Sequence, residues 1–416
     1  MRPWPSHIAV FGLAWLAGLA VSDAAWAQSS FPVSWLYPYA DYTQSFDSNV
    51  FRIPDELRDN PLFRLTTPEL SDNFRTVTTG LVIQRDIGRQ VVNARLNLAR
   101  TSFDRFTQLD NDSSDVQANW NWHLGSKWSG NIGTSSTKTL TPFTEQHDQE
   151  RNLRTQKSDT VSVKWDLLSS WDVQAKAVKN RYSFDLLAQQ SGNRNLQEHE
   201  LAINYWGRKP SRIGFSLHRK QAQFPNIARD LVGSVLPFGF FNYDQLEAQI
   251  VVDWYTLSKT SLHFRGGRTE RKHGLFPAPN DFNRDFSGNN ATLRGAWEVT
   301  SRVTLRGQLY HELGTVDNLI TSYTLNRGRT MSWEWTPAPK LRLDGNIRIE
   351  SRDFLGVVER EVLQMEQSRT ITLGLTYTPL QHVQLGLSSN FERLRSNVPQ
   401  RAYRANGLNA NVRYQF

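Results

Sequence analysis

The chain has 416 residues, no cysteine and a formal net charge of +8, with 38% hydrophobic and 21% charged residues; its mean hydropathy is -0.54 and its pI 9.6. The missing cysteines exclude disulfides, thiol catalysis and cysteine-held metal. The chain is polar for its length, yet it carries 14 Trp, 12 Tyr and 22 Phe. Many aromatics with few aliphatics suit alternating strands whose apolar face meets lipid better than strands sharing one continuous core.

The first element is "IAVFGLAWLAGLAV" (8–21), an apolar run of 14 residues behind Arg2 and ahead of "AWA" and Gln28. It has the form of a secretory signal ending at Ala27, with the remaining 28–416 as one domain. The competing reading is a membrane anchor, for which the run falls short of the ~20 residues a spanning helix needs. Arg2 and Asp23 cancel, so the mature chain keeps the net charge of +8.

From there the pattern is strand, short turn, strand, long loop. A first strand is predicted near 33–44 ("VSWLYPYADYTQ"). Short turns are predicted near residues 87, 125, 169, 209, 257, 300, 338 and 380. Their spacing of about forty residues fits two strands of ~10–14 residues plus one short and one long connection. The long connections are 45–71, 102–110, 139–150, 184–193, 223–242, 271–284, 316–320, 354–363 and 397–400. Eight hairpins, the first strand and a last one at 403–416 make eighteen strands, or sixteen if one weak hairpin fails. The expected fold is all-β: a transmembrane antiparallel outer-membrane β-barrel of 16–18 strands, best read as 18.

Strand faces are legible from the two-residue period. Leu341, Leu343, Ile347 and Ile349 oppose Arg342, Asp344, Asn346, Arg348 and Glu350. Ile371, Leu373, Leu375 and Tyr377 oppose Thr372, Gly374 and Thr376. A β-sandwich would bury the apolar set instead, but its strands are usually shorter. It also gives no reason for an aromatic before turn after turn. Trp122, Trp165, Tyr205, Trp254, Trp297, Trp335 and Tyr377 all fall on the apolar parity just ahead of a short turn. They are expected to form a girdle at the periplasmic interface. The chain ends "GLNANVRYQF" on the same parity, and Tyr414 with Phe416 has the form of a tail read by the outer-membrane assembly machinery.

The polar parity faces a lumen. Its cations are Arg95, Lys164, Lys176, Arg265, Arg294, Arg306, Arg342, Arg348 and Arg413, against Asp172, Glu247, Asp253, Glu334, Asp344 and Glu350. Arg265, Arg294, Arg306, Arg342, Asp344, Arg348 and Glu350 are the candidate functional residues. Either the slight cation excess serves anionic material, or the charges pair across strands and leave no selectivity. Of nine histidines, His218 and His263 fall on the lumen parity and His199 and His311 on the lipid parity. No metalloprotease, nucleophile-elbow or calcium-loop motif occurs, and "DNDSSD" (110–115) reads as a loop-to-strand transition. No catalytic residue, metal or cofactor is assigned. No basic run suggests nucleic acid.

Several stretches go beyond a generic barrel: "SNVFRIPD" (48–55), "DFSGNNATLRGAWEVTSRVTLRGQLYHEL" (285–313), "RIESRDFLG" (348–356) and "YRANGLNANVRYQF" (403–416). Together they resemble the outer-membrane EpsL-type proteins of exosortase (PEP-CTERM)-associated extracellular polysaccharide biosynthesis clusters in proteobacteria. The early element stands here as Ser48-Asn49-Val50-Phe51-Arg52, a mild departure from the family's DN-LFR-like form. The resemblance implies location and pathway but no site residue. It implies an outer-membrane conduit or docking wall for export or surface assembly of a polysaccharide. The alternatives are a general diffusion porin, for which the apolar-rich loop 223–242 could act as a plug, and a closed docking barrel.

The signal reading predicts that the mature outer-membrane protein begins at Gln28. N-terminal sequencing after membrane fractionation checks this, and an inner-membrane product retaining residues 1–27 would contradict it.

Overall fold

The computed structural model describes residues 35–54, 57, 69–145, 149–207, 210–226, 242–256, 259–274, 285–314, 323–355 and 364–416. The signal segment 1–27 and residues 227–241 of the proposed plug lie outside the described residues. Eighteen strands are formed. They are β1 (Leu36–Asp47), β2 (Asp72–Ile87), β3 (Gln90–Phe103), β4 (Asn111–Leu124), β5 (Trp128–Leu140) and β6 (Leu153–Leu168). Next come β7 (Trp171–Phe184), β8 (Arg194–Trp206), β9 (Arg212–Gln223), β10 (Tyr243–Thr256), β11 (Thr260–His273) and β12 (Phe286–Thr300). The series ends with β13 (Val303–Gly314), β14 (Tyr323–Ala338), β15 (Leu341–Leu355), β16 (Met365–Leu380), β17 (Val383–Ser396) and β18 (Tyr403–Gln415).

Every strand pairs with its neighbours in sequence, and β1 pairs with both β2 and β18, so the sheet closes on itself. Closure leaves no edge with unpaired backbone groups. The seam runs from Tyr39↔Gln415 to Asp47↔Gly407. The short connections follow β2, β4 and each even-numbered strand to β16, as the sequence predicts. Gly88 (φ +62°) and Gly125 (φ +61°) supply the left-handed conformation that two of these turns require. Four hairpins also slip register just before the turn, between Asp166 and Leu168, Glu298 and Thr300, Trp335 and Ala338, and Tyr377 and Leu380.

Two boundaries differ from expectation. β1 spans Leu36–Asp47 rather than 33–44, because Ser45, Phe46 and Asp47 still find partners on both sides, in β2 and in β18. β4 already begins at Asn111, so most of "DNDSSD" is strand, paired to β3 through Asp112↔Arg100.

Burial is inverted relative to a soluble sheet. Phe215 is 46% exposed while the adjacent Ser216 is 1% exposed, and Ile250 is 50% exposed beside Gln249 at 8%. The apolar face therefore points outward and the polar face inward. Among the described residues no helix is long and apolar enough to cross a membrane; the crossing is made by strands. Trp165, Tyr205, Trp254, Trp297, Trp335 and Tyr377 stand exposed near the short turns. Trp128, which opens β5, joins them by stacking on Trp165 with centroids 5.4 Å apart and planes 4° from parallel. Trp122 is half-buried and folded over Gly130. Inside, the rings of Tyr39 and Tyr310 lie flat across Gly80 and Gly328, where a Cβ would overlap them.

Ile347 and Leu373 lie on the outer face, and Asn346 and Thr372 are cross-strand partners on the inner face. Arginine at Ile347 or Leu373 should lower folding stability in bilayers by about 2–4 kcal/mol, and arginine at Asn346 or Thr372 by much less. Equal losses on both faces would contradict the parity.

Candidate functional site: the lumen and the segment at its mouth

The inward face encloses a cavity of about 2160 Å³. Its lining runs from Arg401 and Tyr403 at the long-loop end to Trp206 and Lys259 at the short-turn end. Burial is densest near the mouth, where arginines, aromatics and carboxylates interlock. Arg271 lies over Tyr243 at 4.0 Å and over Phe286 at 4.8 Å, and its Nη2 donates to Gln245 at 2.6 Å. Arg348 and Arg352 both hold Glu350, at 2.5 Å and 3.0 Å, and the Tyr310 hydroxyl donates to the same carboxylate. Arg401 holds Glu366 at 2.5 Å and covers Phe354. His218 sits between Glu198 (3.3 Å) and Glu247 (3.8 Å), with Lys220 3.9 Å from Glu198. Nearer the turns, Asp253 takes Arg212 and His263. Each carboxylate here has a cation to offset its desolvation.

Five of the nine lumen cations named from the sequence have a carboxylate within 4 Å. These are Lys164 with Asp166, Arg306 with Glu334, Arg342 with Asp344, Arg348 with Glu350 and Arg413 with Asp41. Arg95, Lys176, Arg265 and Arg294 have no such ion pair among the described residues. Arg265, Arg294, Arg306, Arg348 and Glu350 line the cavity together, whereas Arg342 and Asp344 pair with each other near the turn that opens β15. Tyr414 and Phe416 lie on the outer face, edge to face at 5.0 Å. The Phe416 N–H donates to the Pro38 carbonyl at 3.0 Å and so fastens the chain end to β1.

A hydrophobic cluster sits inside the mouth, built by the segment that follows β1. Val50, Phe51, Ile53 and Leu70 pack against Phe103, Phe106, Leu109 and Phe143. Phe51 is 2% exposed and meets Phe106 and Phe143 edge-on at 4.6 Å and 5.0 Å. Burial of each such side chain contributes about 1.5–3 kcal/mol. Asn49 ties the turn: its Nδ2 donates to Ile53 O (2.8 Å) and Arg404 O (3.0 Å), and its Oδ1 accepts from Ile53 N–H (3.0 Å). Arg52 then reaches across β18. It pairs with Asp47 at the end of β1 (2.9 Å) and with Glu392 on β17 (3.0 Å), and lies over Tyr403. Its φ of 56° is a left-handed conformation that arginine adopts only under strong external constraint. Burial alone would lower its pKa, but Asp47 and Glu392 outweigh that and hold it above the ordinary arginine value.

Sequence reasoning missed this latch, the Glu198–His218–Glu247 group and the Arg271 stack. The available signal for the latch was the cluster Val50, Phe51 and Ile53 around a lone Arg52, directly after the first strand.

An even-stranded closed barrel with an apolar exterior, an aromatic girdle and a polar lumen is a protein of the bacterial outer membrane. The chain matches no protein-family model and no curated protein. Its shape is similar to that of the outer membrane protein OpdK from Pseudomonas aeruginosa, with 11% identity, a TM-score of 0.48, and 92% of this chain and 99% of that one covered. It is also similar to OccAB3 from Acinetobacter baumannii, with 9% identity, a TM-score of 0.47 and coverage of 92% and 99%. OpdO from Pseudomonas aeruginosa gives 11%, 0.48, and 92% and 98%. At such values the likeness is one of barrel architecture alone.

Replacing Arg52 by Gln leaves Asp47 and Glu392 without their shared cation, a loss of about 3–5 kcal/mol for a broken buried pair. Amide exchange at Val50 and Ile53 should then accelerate by on the order of 100- to 1000-fold, while mid-strand amides stay protected. Unchanged protection of these two amides would show that the latch does not hold the segment.

Proposed function

We propose that the chain forms a hydrated channel passing small polar solutes across the outer membrane. The observation that carries this reading is the cavity itself, about 2160 Å³, polar and charged, with lining residues at both ends of the barrel. Water and solute can exchange hydrogen bonds along such a wall without a deep binding minimum. The segment 48–54 packs into the mouth against β3 and the loops beside it, and residues of β2 to β18 line the cavity.

The sequence resemblance supports a second reading, in which the same conduit serves an extracellular polysaccharide. In its favour, the motif Ser48–Arg52 is built into the mouth rather than left at the surface. Against it, Tyr182, Tyr243 and Tyr310 are only 4–7% exposed, so their ring faces are not free to stack on sugars. The solute channel is therefore the preferred reading. Tyr414 and Phe416 complete the proposal as the assembly signal.

Purified protein in planar bilayers should give discrete conductance steps, and liposomes carrying it should swell in pentose faster than in a tetrasaccharide. A folded protein with no conductance would refute the channel. A deletion strain with normal surface polymer would refute only the export reading.

A further inference from the structure

The outer face turns from apolar to charged as the strands approach the mouth. Several cations there meet a carboxylate on the same face. Arg100 pairs with Asp112 at 3.1 Å, Lys272 with Glu270 at 3.2 Å and Arg327 with Asp353 at 2.9 Å, and Arg219 holds Asp244. The outer face of β16–β18 is different, because its charges are all of one sign.

Arg369 on β16 stands directly opposite Arg393 on β17, and Arg393 directly opposite Arg404 on β18. Arg395 follows two residues beyond Arg393, opposite Gln367. Arg369, Arg395 and Arg404 are exposed and Arg393 is half-buried. None of the four side chains makes an ion pair or hydrogen bond among the described residues. The charges that act on Arg393 are the like charges of Arg395 and Arg404. Directly opposed residues stand about 5 Å apart, and like charges so placed destabilise a sheet. Such a row is relieved when an anion lies over it.

The height of the row says which anion. β16 runs from Arg369 to the girdle residue Tyr377, about 27 Å of strand and about 20 Å of membrane height once tilted. The row therefore lies at the far edge of the apolar band, on the long-loop side that faces the cell exterior. Toward the short turns the same face is apolar, with Ile371 and Leu373 on β16, Phe391 on β17 and Leu408 on β18. Gln367 and Asn406 are exposed amides beside the arginines. Guanidinium forks match phosphate oxygens, amides exchange hydrogen bonds with sugar hydroxyls, and the apolar strip suits acyl chains. We propose that Arg369, Arg393, Arg395 and Arg404 dock a phosphorylated glycolipid of the outer leaflet, with its acyl chains along Ile371, Phe391 and Leu408. The site lies outside the lumen, so it stands independently of the channel reading.

The test adds defined lipids to the folded barrel in detergent and reads bound lipid by native mass spectrometry. The wild type should retain bisphosphorylated lipid A, and Arg369→Gln/Arg393→Gln/Arg404→Gln should lower its affinity at least about tenfold. Arg100→Gln, on the same face but paired with Asp112, should leave it unchanged. Lipid A stripped of phosphate should bind the wild type as weakly as the triple variant binds the phosphorylated form. Arg393→Gln alone, at the centre of the row, should weaken binding several-fold, and it decides the matter if the triple variant fails to fold. Equal affinity in the wild type and the folded variants would overturn the site, as would lipid A bound by none of them. Phosphatidylglycerol bound as tightly as lipid A would overturn the glycolipid assignment. Inorganic phosphate that displaces lipid A at equal concentration would overturn the lipid in favour of a free anion. A two-chain species without lipid, lost in the triple variant, would overturn it in favour of a second copy of this chain.

Discussion

The structure depends on one seam. Inside hydrocarbon every backbone N–H and C=O must be paired within the protein, so an eighteen-stranded sheet is stable only if β1 finds β18. The seam is fastened at both ends. At the short-turn end the Phe416 N–H donates to Pro38 O, and Asp41 takes Arg413 and Asn411 across the two strands. At the mouth the Ser48 N–H donates to Asn406 O, and Asn49 reaches Arg404 O. Arg52 adds the widest clasp, from Asp47 on β1 over β18 to Glu392 on β17. The segment packed into the mouth thus also ties β1 to β17 and β18.

The same economy explains the lumen. Carboxylates at the mouth are deeply buried and would be unstable alone, so Glu198, Glu247, Glu350 and Glu366 each take at least one cation. Rings add a second layer, with Arg271 between Tyr243 and Phe286. The charged members of this belt line the cavity with their charges already engaged. Arg265, Arg294 and Arg306, farther along β11–β13, are only partly buried, and Arg306 meets Glu334 at no closer than 3.7 Å. The wall's charge is therefore offset by close ion pairs at the mouth and less closely on β11–β13.

Much of the fold was legible because strand parity and turn chemistry are local. The alternation in "LRLDGNIRIE" set β15 facing the right way, and aromatics before turns placed the girdle. β1 was misplaced by about three residues because its end is decided by partners on β2 and β18, which are far away in sequence. The candidate site was legible by half. Parity put Arg265, Arg294, Arg306, Arg348 and Glu350 inside, but register decides which of them are neutralised. Arg348 meets Glu350, while Arg294 faces His263 and Gln308. The latch at Arg52 joins residues 340 positions apart, a relation carried by no local pattern.

The central claim is the closed seam in the stated register, and a chain without cysteine makes it directly measurable. Thr43 and Asn411 are partners across β1 and β18 on the lumen side. In Thr43→Cys/Asn411→Cys, oxidation of the membrane-inserted protein should join the two thiols and give a cross-linked band that resists unfolding on heating. Thr43→Cys/Ala410→Cys places the thiols on opposite faces and should stay reduced. Equal cross-linking of both pairs, or none in the first while the protein is inserted, would contradict the closed barrel in this register.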